Sequence, residues 1–296
     1  MSDTRLLEMT PAGQPTTSLL GTPYHLGANR RAMVSLGPVK LRNYCTFKCP
    51  FCYVQGPFPR YQQGASVQDI ISWLLSQREH YDIVYISGDT DSFAPPRTQE
   101  AIALIDALRR VDCDVLFTTR HLFTSREQHG LAVLARHYRQ SRRLLIGCTS
   151  VSQLHHPGLE PDPIAAPATR LEQVATLRDL GIRSVLAIRP FIPDIPAAEY
   201  AEIAERGARS ADIVLGGDWY VDPAGVILSQ TQRVLGMTRA RPSRRAPLDF
   251  TDDATPWDFY VHDAAEAAVR AICAKYGRPF FMRSDPAIAY LRRAAT

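Results

Sequence analysis

The 296-residue sequence predicts an α/β fold built around a parallel sheet. Short runs of strand-forming residues alternate with longer stretches whose apolar residues recur at helical spacing. Six such strands are predicted between residues 39 and 216. Strands that alternate with helices in this way form parallel sheets with right-handed crossovers. Six strand–helix units are too few to close a full eight-unit barrel.

The predicted elements follow one another at regular intervals. Strands are predicted at Val39–Asn43, Asp82–Ser87, Asp114–Thr119, Arg143–Thr149, Ser184–Pro190 and Asp212–Gly216. Helices are predicted where apolar residues lie three and four positions apart, at Val67–Glu79, Thr98–Arg109, Arg126–Tyr138, Thr169–Leu180, Ala198–Ala208 and Ala264–Lys275. Gly181 follows the fourth helix, where a left-handed cap is easiest for glycine.

We expect a single domain with an extension on each side of its core. Residues 1–34 are rich in Thr, Pro and Gly and are predicted to wrap the domain as an N-terminal extension. The core is predicted to span residues 35–220. Residues 221–296 are predicted to pack on the core as a helical and irregular C-terminal extension.

Composition narrows the class of protein. The chain is 45% hydrophobic and 22% charged, which is ordinary for a globular protein. It has no run of 18 apolar residues and no apolar signal core, so we expect no membrane span and a cytoplasmic location. The formal charge of +4 is mild. The densest basic run, Arg233–Arg245, is interpreted as a solvated loop, with nucleic-acid contact as the less favoured alternative.

Half of the six cysteines lie within eight positions of the chain. Cys45, Cys49 and Cys52 stand in C-x3-C-x2-C spacing within the run YCTFKCPFCY. Three neighbouring thiolates suit a metal or an iron–sulfur cluster better than a disulfide, which would leave one thiol over. The remaining cysteines, Cys113, Cys148 and Cys273, are far apart and are expected to be buried thiols.

A structural zinc site is the alternative for these three cysteines. Zinc sites take four ligands, usually as two pairs separated by a spacer, and no second pair of cysteines follows in this chain. His25 or the pair His155 and His156 could supply a fourth ligand, although their spacing does not favour it. A zinc site would make the protein a non-enzymatic binding module.

The cysteine run resembles the signature of the radical S-adenosylmethionine (radical SAM) superfamily, with Phe51 in the aromatic place before the third cysteine. The resemblance implies a partial (β/α)6 TIM-type barrel. It also implies a 4Fe–4S cluster held by Cys45, Cys49 and Cys52, with one iron open to S-adenosylmethionine (SAM). Phe51 and Tyr53 would shield the cluster and the SAM adenine from water.

The resemblance also implies where SAM binds, because ligands of parallel α/β folds gather at the carboxyl ends of the strands. After the second strand, Ser87, Gly88, Asp89 and Thr90 stand where the superfamily receives the methionine ammonium, and Asp91 follows them. Here Ser87 and Asp89 replace a Gly and a Glu of the usual motif. A plain Asp-rich turn is the alternative.

Further strand ends supply the other expected SAM contacts. Arg120 follows the third strand and could bind the SAM carboxylate through its planar guanidinium. Thr149 or Ser150, at the end of the fourth strand, would bind the ribose. Arg189, after the fifth strand, is also expected to contact the cofactor.

Three later stretches resemble the branch that includes spore photoproduct lyase. They are Leu159–Pro161, Ala168–Ile182 and Arg189–Ile195, and Tyr53 after the third cysteine fits the same branch. Beyond residue 196 no resemblance is found. Asp218, Trp219 and Tyr220 close the sixth strand there and could line a cavity.

The resemblance implies that SAM is cleaved reductively to a 5′-deoxyadenosyl radical, which takes a hydrogen atom from the substrate. We predict a small-molecule substrate in a biosynthetic tailoring pathway, and an external electron donor of the flavodoxin or ferredoxin type. A nucleic-acid lesion enzyme is the alternative, which would need a basic, aromatic-lined groove. Cys148 and Tyr220 are the candidate catalytic residues.

Overall fold

The structure is a computed structural model that describes residues 24–27, 29–36, 45–55, 65–86, 90–236, 241–248 and 254–294. Its strands are β1 Tyr24–Gly27, β2 Arg31–Val34, β3 Ile83–Ile86, β4 Asp114–Thr119, β5 Leu145–Ser150, β6 Arg183–Ala187, β7 Ile213–Leu215, β8 Trp219–Val221, β9 Arg244–Ala246, β10 Trp257–Tyr260 and β11 Phe280–Phe281. Its helices are α1 Val67–Ser76, α2 Thr98–Leu108, α3 Ser125–Gln140, α4 Pro167–Asp179, α5 Ala197–Gly207, α6 Val226–Leu235, α7 Asp263–Lys275 and α8 Ser284–Arg293.

The main sheet runs in the order β1-β2-β3-β4-β5-β6-β7-β11. Each strand from β2 to β7 is parallel to its neighbours, with helices in the connections. β1 adds an antiparallel edge beside β2, and β11 adds a parallel edge beside β7. The edges β1 and β11 do not pair within the described residues, so the sheet forms an open, partial (β/α)6 barrel as predicted.

The beginning of the barrel differs from the prediction. The predicted strand Val39–Asn43 lies outside the described residues, and the first strand of the parallel set is β2, within the segment expected to be an extension. The sequence signal of β2 is weak because Arg31 opens a strand of only four residues, all of them buried. A short strand that is buried on both faces lacks the alternation by which strands are recognised.

The predicted helices begin and end near their predicted limits, and local caps mark three of those limits. Ser66 and Asp69 form a capping box at the start of α1, and Thr124 and Glu127 form one at the start of α3. Gly181 has a φ of 82°, the left-handed conformation expected after α4. Helices α6 and α8 were not predicted. In the described ranges, no helix has both the length and the apolar character needed to cross a membrane.

Helix α8 covers the amino-terminal end of the barrel. Its residues Ala287, Ile288 and Leu291 join the core cluster inside the sheet. Arg292 Nε lies 2.9 Å from the carboxylate of Asp114, the first residue of β4. Helix α8 is thus held against the end of the barrel opposite the strand carboxyl ends.

The same helix also joins the two edges of the open sheet. Asp285, in its first turn, pairs with Arg31 of β2 at 2.9 Å and accepts a hydrogen bond from Asn29 at 2.7 Å. Since α8 directly follows β11, these contacts bring the β1–β2 edge close to the β11 edge.

A second, smaller sheet covers one side of the barrel. It has the order β8-β10-β9 and follows directly from β7. Trp219 of β8 and Tyr260 of β10 pack with their ring centroids 5.1 Å apart. Helix α7 packs against α5. This part of the chain places β8 next to the cysteine loop.

Candidate functional site

A cavity of about 270 Å³ opens at the carboxyl ends of the strands and extends into the barrel. Most of the predicted site residues line it: Cys45, Cys49, Phe51, Cys52, Tyr53, Thr90, Arg120, Ser150, Arg189 and Tyr220. Cys148 and Thr149 do not line the cavity, and Ser87, Gly88 and Asp89 lie outside the described residues. Asp91, Asp218 and Trp219 line it as well.

Two hydrogen bonds, one within the cysteine loop and one from Trp219, fix the backbone of the loop. The Cys52 backbone amide donates to the Cys49 carbonyl at 3.1 Å, which closes a turn around Pro50. Cys49 and Phe51 are buried, whereas Cys45 and Cys52 are partly exposed. Trp219 Nε1 donates to the Phe51 carbonyl at 3.2 Å. The loop therefore holds all three thiols at the wall of one cavity.

The donor set fits an iron–sulfur cluster. Burial raises the pKa of the Cys45 thiol to about 12 and also raises that of Cys49, so that the thiols are protonated until iron displaces their protons. Three soft sulfur ligands at one cavity wall suit iron rather than a hard cation. None of the described residues that line the cavity is a histidine, which leaves the zinc alternative without its expected fourth ligand there.

Arg120, the predicted contact of the SAM carboxylate, lies beside the cysteine loop. Its guanidinium is 5.4 Å from the centre of the Phe51 ring, and its Nε donates to Glu160 Oε1 at 3.0 Å. Glu160 also pairs with the fully buried Arg170. Burial alone would raise the pKa of Glu160, but the two guanidiniums lower it. One carboxylate thus serves two cations, which leaves one positive charge at the cavity wall.

Asp91 joins the loop after β3 to the end of β4. Its carboxylate accepts hydrogen bonds from the backbone amides of Phe93 and Arg120, at 3.0 and 2.6 Å, and from the Thr119 hydroxyl at 2.9 Å. Burial raises its pKa. The Thr90 hydroxyl next to it is buried without a hydrogen-bond partner. A carboxylate and an unsatisfied hydroxyl together suit an ammonium group.

The end of β5 separates the two predicted ribose contacts. Cys148 belongs to the core cluster inside the barrel, and alternation turns its neighbour Thr149 towards the helices. The adjacent Gly147 marks this outer face, because a Cβ added there would meet Leu177 and Ile182. Ser150 faces inward again and lines the cavity. The structure therefore favours Ser150 over Thr149 as a cavity contact.

The two candidate catalytic residues occupy different places. Cys148 is 1% exposed and lies opposite the cavity-lining Thr118 in the β4–β5 register, directly behind the cavity wall. Burial raises the pKa of its thiol. Tyr220 lines the cavity and packs on Phe259, with ring centroids 4.8 Å apart. Only Tyr220 is thus in direct reach of a bound molecule.

Tyr85 and Thr118 are among the cavity residues that were not predicted. Each lies on a strand with its side chain inside the barrel, and the Tyr85 hydroxyl is 2.9 Å from Thr118 Oγ1. Both lie within predicted strands, and the sequence analysis gave neither of them a role in the site. The sequence signal that could have identified them is a polar side chain at an inward-facing position near the end of a strand.

Comparisons with known proteins agree with this geometry. The model of the radical SAM superfamily matches residues 39–207. Spore photoproduct lyase complexed with a dinucleoside spore photoproduct has a similar structure, with a TM-score of 0.58 and 12% identity over 95% of this chain and 80% of that chain. A mutant of the same enzyme with bound AdoMet and the dinucleoside gives a TM-score of 0.63, with the same identity and coverage.

A weaker likeness, with a TM-score of 0.47 and 14% identity, covers 63% of this chain and 40% of Streptococcus suis SuiB bound to S-adenosylmethionine. No curated protein sequence matches the chain. The two likenesses to spore photoproduct lyase establish the fold, and the family match spans more than half of the chain. The chain belongs to the radical SAM superfamily, whose cofactors are a 4Fe–4S cluster and S-adenosylmethionine.

Proposed function

We propose that the protein cleaves SAM reductively and uses the resulting 5′-deoxyadenosyl radical to take a hydrogen atom from a small molecule in a biosynthetic tailoring pathway. The observation that supports this most is a single cavity with the three cysteines in its wall and aromatic and hydroxyl side chains in its interior. Such a cavity is suited to orient one hydrogen of a substrate and to exclude water.

The chain's own residues would divide the binding of the cofactors between them. Cys45, Cys49 and Cys52 would hold the cluster, which when bound supplies the electron for SAM cleavage. Thr90 and Asp91 would receive the SAM ammonium. Arg120 would receive its carboxylate and Ser150 its ribose. Phe51 and Tyr53 would keep water out.

The charges of the cavity favour a small molecule over nucleic acid. Arg31 and Arg283 both pair with Asp285, at 2.9 and 4.0 Å, and Arg120 pairs with Glu160. A nucleic-acid groove instead presents a row of unmatched cations to the phosphates. In the described part of the cavity wall, three of the four arginines contact a carboxylate, although Arg31 and Arg283 share one. We infer a small-molecule substrate and an external flavodoxin-type or ferredoxin-type electron donor.

An anaerobic reconstitution tests the proposal. The protein is loaded with iron and sulfide, its iron is counted, and 5′-deoxyadenosine is measured after dithionite and SAM are added. We expect about four irons per chain and SAM-dependent 5′-deoxyadenosine. A protein that holds four irons but releases no 5′-deoxyadenosine would contradict the proposed reaction.

A binding measurement separates the two substrate classes. Affinity for single-stranded and duplex DNA is measured between 50 and 200 mM salt, where phosphate contacts weaken binding by orders of magnitude. We expect weak binding with a shallow salt dependence. Tight, steeply salt-dependent binding would favour the lesion-repair alternative.

A further inference from the structure

Arg189 differs from the other described arginines of the cavity wall in having no carboxylate partner. Arg120 pairs with Glu160, and Arg31 and Arg283 pair with Asp285. The hydrogen bond of the Arg189 side chain within the described residues goes to a neutral phenol, Tyr85. A guanidinium that faces a cavity without a counter-charge is expected to bind an anion from outside the chain.

The Arg189 side chain is held in place from several directions. Its backbone carbonyl accepts a hydrogen bond from Ser152 Oγ at 2.7 Å. Its aliphatic stem lies over Gly217, where an added Cβ would be 3.4 Å from Arg189 Cβ and 3.5 Å from Cδ. Its Nη2 donates to the Tyr85 hydroxyl at 3.4 Å, and that hydroxyl contacts Thr118 Oγ1 at 2.9 Å. Of five N–H donors, most remain for a ligand.

The surroundings of Arg189 are those of a binding pocket for an organic anion. Burial would lower its pKa, but the neighbouring Tyr85, Cys148 and Tyr220 raise it, so the guanidinium stays charged. Tyr53, Tyr85 and Tyr220 line the same cavity. Their rings offer apolar contact area and their hydroxyls offer hydrogen bonds.

The Arg189 side chain reaches different partners from the Arg120 side chain, although Ser152 Oγ contacts both the Arg120 guanidinium and the Arg189 backbone carbonyl. The SAM carboxylate is expected to bind at the cluster, next to the cysteine loop, where Arg120 stacks on Phe51. The partners of Arg189 belong instead to the barrel interior, at Tyr85 on β3 and, through it, Thr118 on β4. The two guanidiniums therefore serve different parts of the cavity.

We propose that Arg189 binds the carboxylate of the substrate, which makes the substrate a small monocarboxylic acid whose carbon skeleton packs among Tyr53, Tyr85 and Tyr220. This inference rests on the proposed function. Arg189 is the arginine of the described cavity wall that contacts no carboxylate, and the planar fork of arginine matches one carboxylate in two parallel hydrogen bonds. Arg189 is thus a substrate-binding residue and Tyr85 positions it.

Ligand-observed NMR on the reconstituted, SAM-loaded protein tests this with acetate and benzoate as probes. Acetamide and benzamide serve as neutral counterparts of the same shape. We expect saturable binding of at least one carboxylate, at least tenfold tighter than its amide. Arg189→Gln should weaken that binding at least tenfold, Arg189→Lys should restore part of it, and Tyr85→Phe should weaken it several-fold. Arg136→Gln, an exposed arginine on α3, should change nothing.

Several results would overturn the inference. One is no saturable binding of either carboxylate to the parent protein, and another is equal binding to Arg189→Gln. A second measurement, with SAM and decarboxylated SAM as ligands, distinguishes the substrate carboxylate from the SAM carboxylate as the partner of Arg189. If Arg189→Gln loses affinity for SAM but not for decarboxylated SAM, Arg189 holds the cofactor and the proposal fails.

The failure of this inference can be distinguished from failure of the proposed function. Carboxylate binding that depends on Arg189, in a protein that forms no 5′-deoxyadenosine, would support the anion site and contradict the radical reaction. Formation of 5′-deoxyadenosine by a protein that binds neither probe would support the radical reaction and contradict the anion site.

Discussion

Trp219 and Phe51 are joined by a hydrogen bond across 168 positions of sequence, from the indole Nε1 to the backbone carbonyl at 3.2 Å. Both side chains are almost fully buried. Phe51 lies between the second and third cysteines, and Trp219 is the first residue of β8. Trp219 comes after the sixth parallel strand, and its hydrogen bond fixes the backbone of the cysteine loop.

Trp219→Phe should loosen this loop. The substitution leaves the buried Phe51 carbonyl without its donor and opens space beside it, at a cost of about 1–3 kcal/mol. We expect a lower thermal midpoint and faster loss of iron during gel filtration of the reconstituted protein. Trp73→Phe, on α1 and away from the loop, is the matched control and should keep its iron. Equal iron retention in the two variants would show that the bond is not needed.

Glu160→Gln should destabilise the fold strongly. Glu160 is the buried partner of both Arg120 and Arg170, and its loss leaves the fully buried Arg170 without a counter-charge. Breaking a buried pair in this way costs about 3–5 kcal/mol. Urea unfolding should show this loss, while Glu202→Gln, which breaks the exposed pair with Arg206, should change stability by less than about 1 kcal/mol.

The same carboxylate predicts a sensitivity to acid. Because its two arginines lower the pKa of Glu160 in the folded chain, its stabilising effect is complete above the ordinary glutamate pKa of about 4.3 and is lost as the pH falls through the lower folded value. Stability measured from pH 5 to pH 3 should fall more steeply in the parent protein than in Glu160→Gln. Parallel curves would contradict this assignment.

Each of Cys45→Ala, Cys49→Ala and Cys52→Ala should abolish both iron binding and 5′-deoxyadenosine formation. A cluster held by three thiolates loses a required ligand in each case. Cys273→Ala is the control, because Cys273 is buried like Cys49 but lies on α7, outside the cavity wall. It should keep the brown colour and about four irons. A cavity variant that still binds four irons would remove that cysteine from the ligand set.

Substitutions of the neighbouring residues Ser150 and Thr149 should affect SAM binding differently. Ser150 lines the cavity, whereas the Thr149 hydroxyl is buried without a hydrogen-bond partner. Ser150→Ala should raise the dissociation constant of SAM roughly 2- to 12-fold, the worth of one hydrogen bond. Thr149→Val should leave it within twofold. The reverse ranking, measured by equilibrium dialysis, would return the ribose contact to Thr149.

Five predicted strands were found in the described structure close to their expected limits, because their apolar runs are buried on both faces of the sheet. Strand β2 was missed because Arg31 interrupts its apolar character, and the partner that makes this arginine tolerable, Asp285, lies 254 residues further along the chain. Helix α8 was also missed because its burial depends on distant parts of the chain. Its apolar residues pack inside the barrel against strands that lie far away in sequence.

For the site, strand-end reasoning was enough to find Arg120, Ser150 and Arg189, because parallel strands deliver their ends to one edge. It could not decide whether Thr149 or Ser150 lines the cavity, because that depends on the direction in which each side chain points. It also could not foresee that Glu160 balances Arg120 while Arg189 stays unmatched. Charge pairing depends on distances in space that no local spacing encodes.

Helix α8 has a consequence for the order in which the protein matures. The cavity takes Ser284 and Asp285 from the start of this helix, whereas the cysteine loop is translated long before. While a ribosome is still making the intervening chain, the barrel has no cover at its amino-terminal end. The two edges of the open sheet are therefore joined only after α8 has emerged, so the last residues of the chain complete a barrel that its first strands begin.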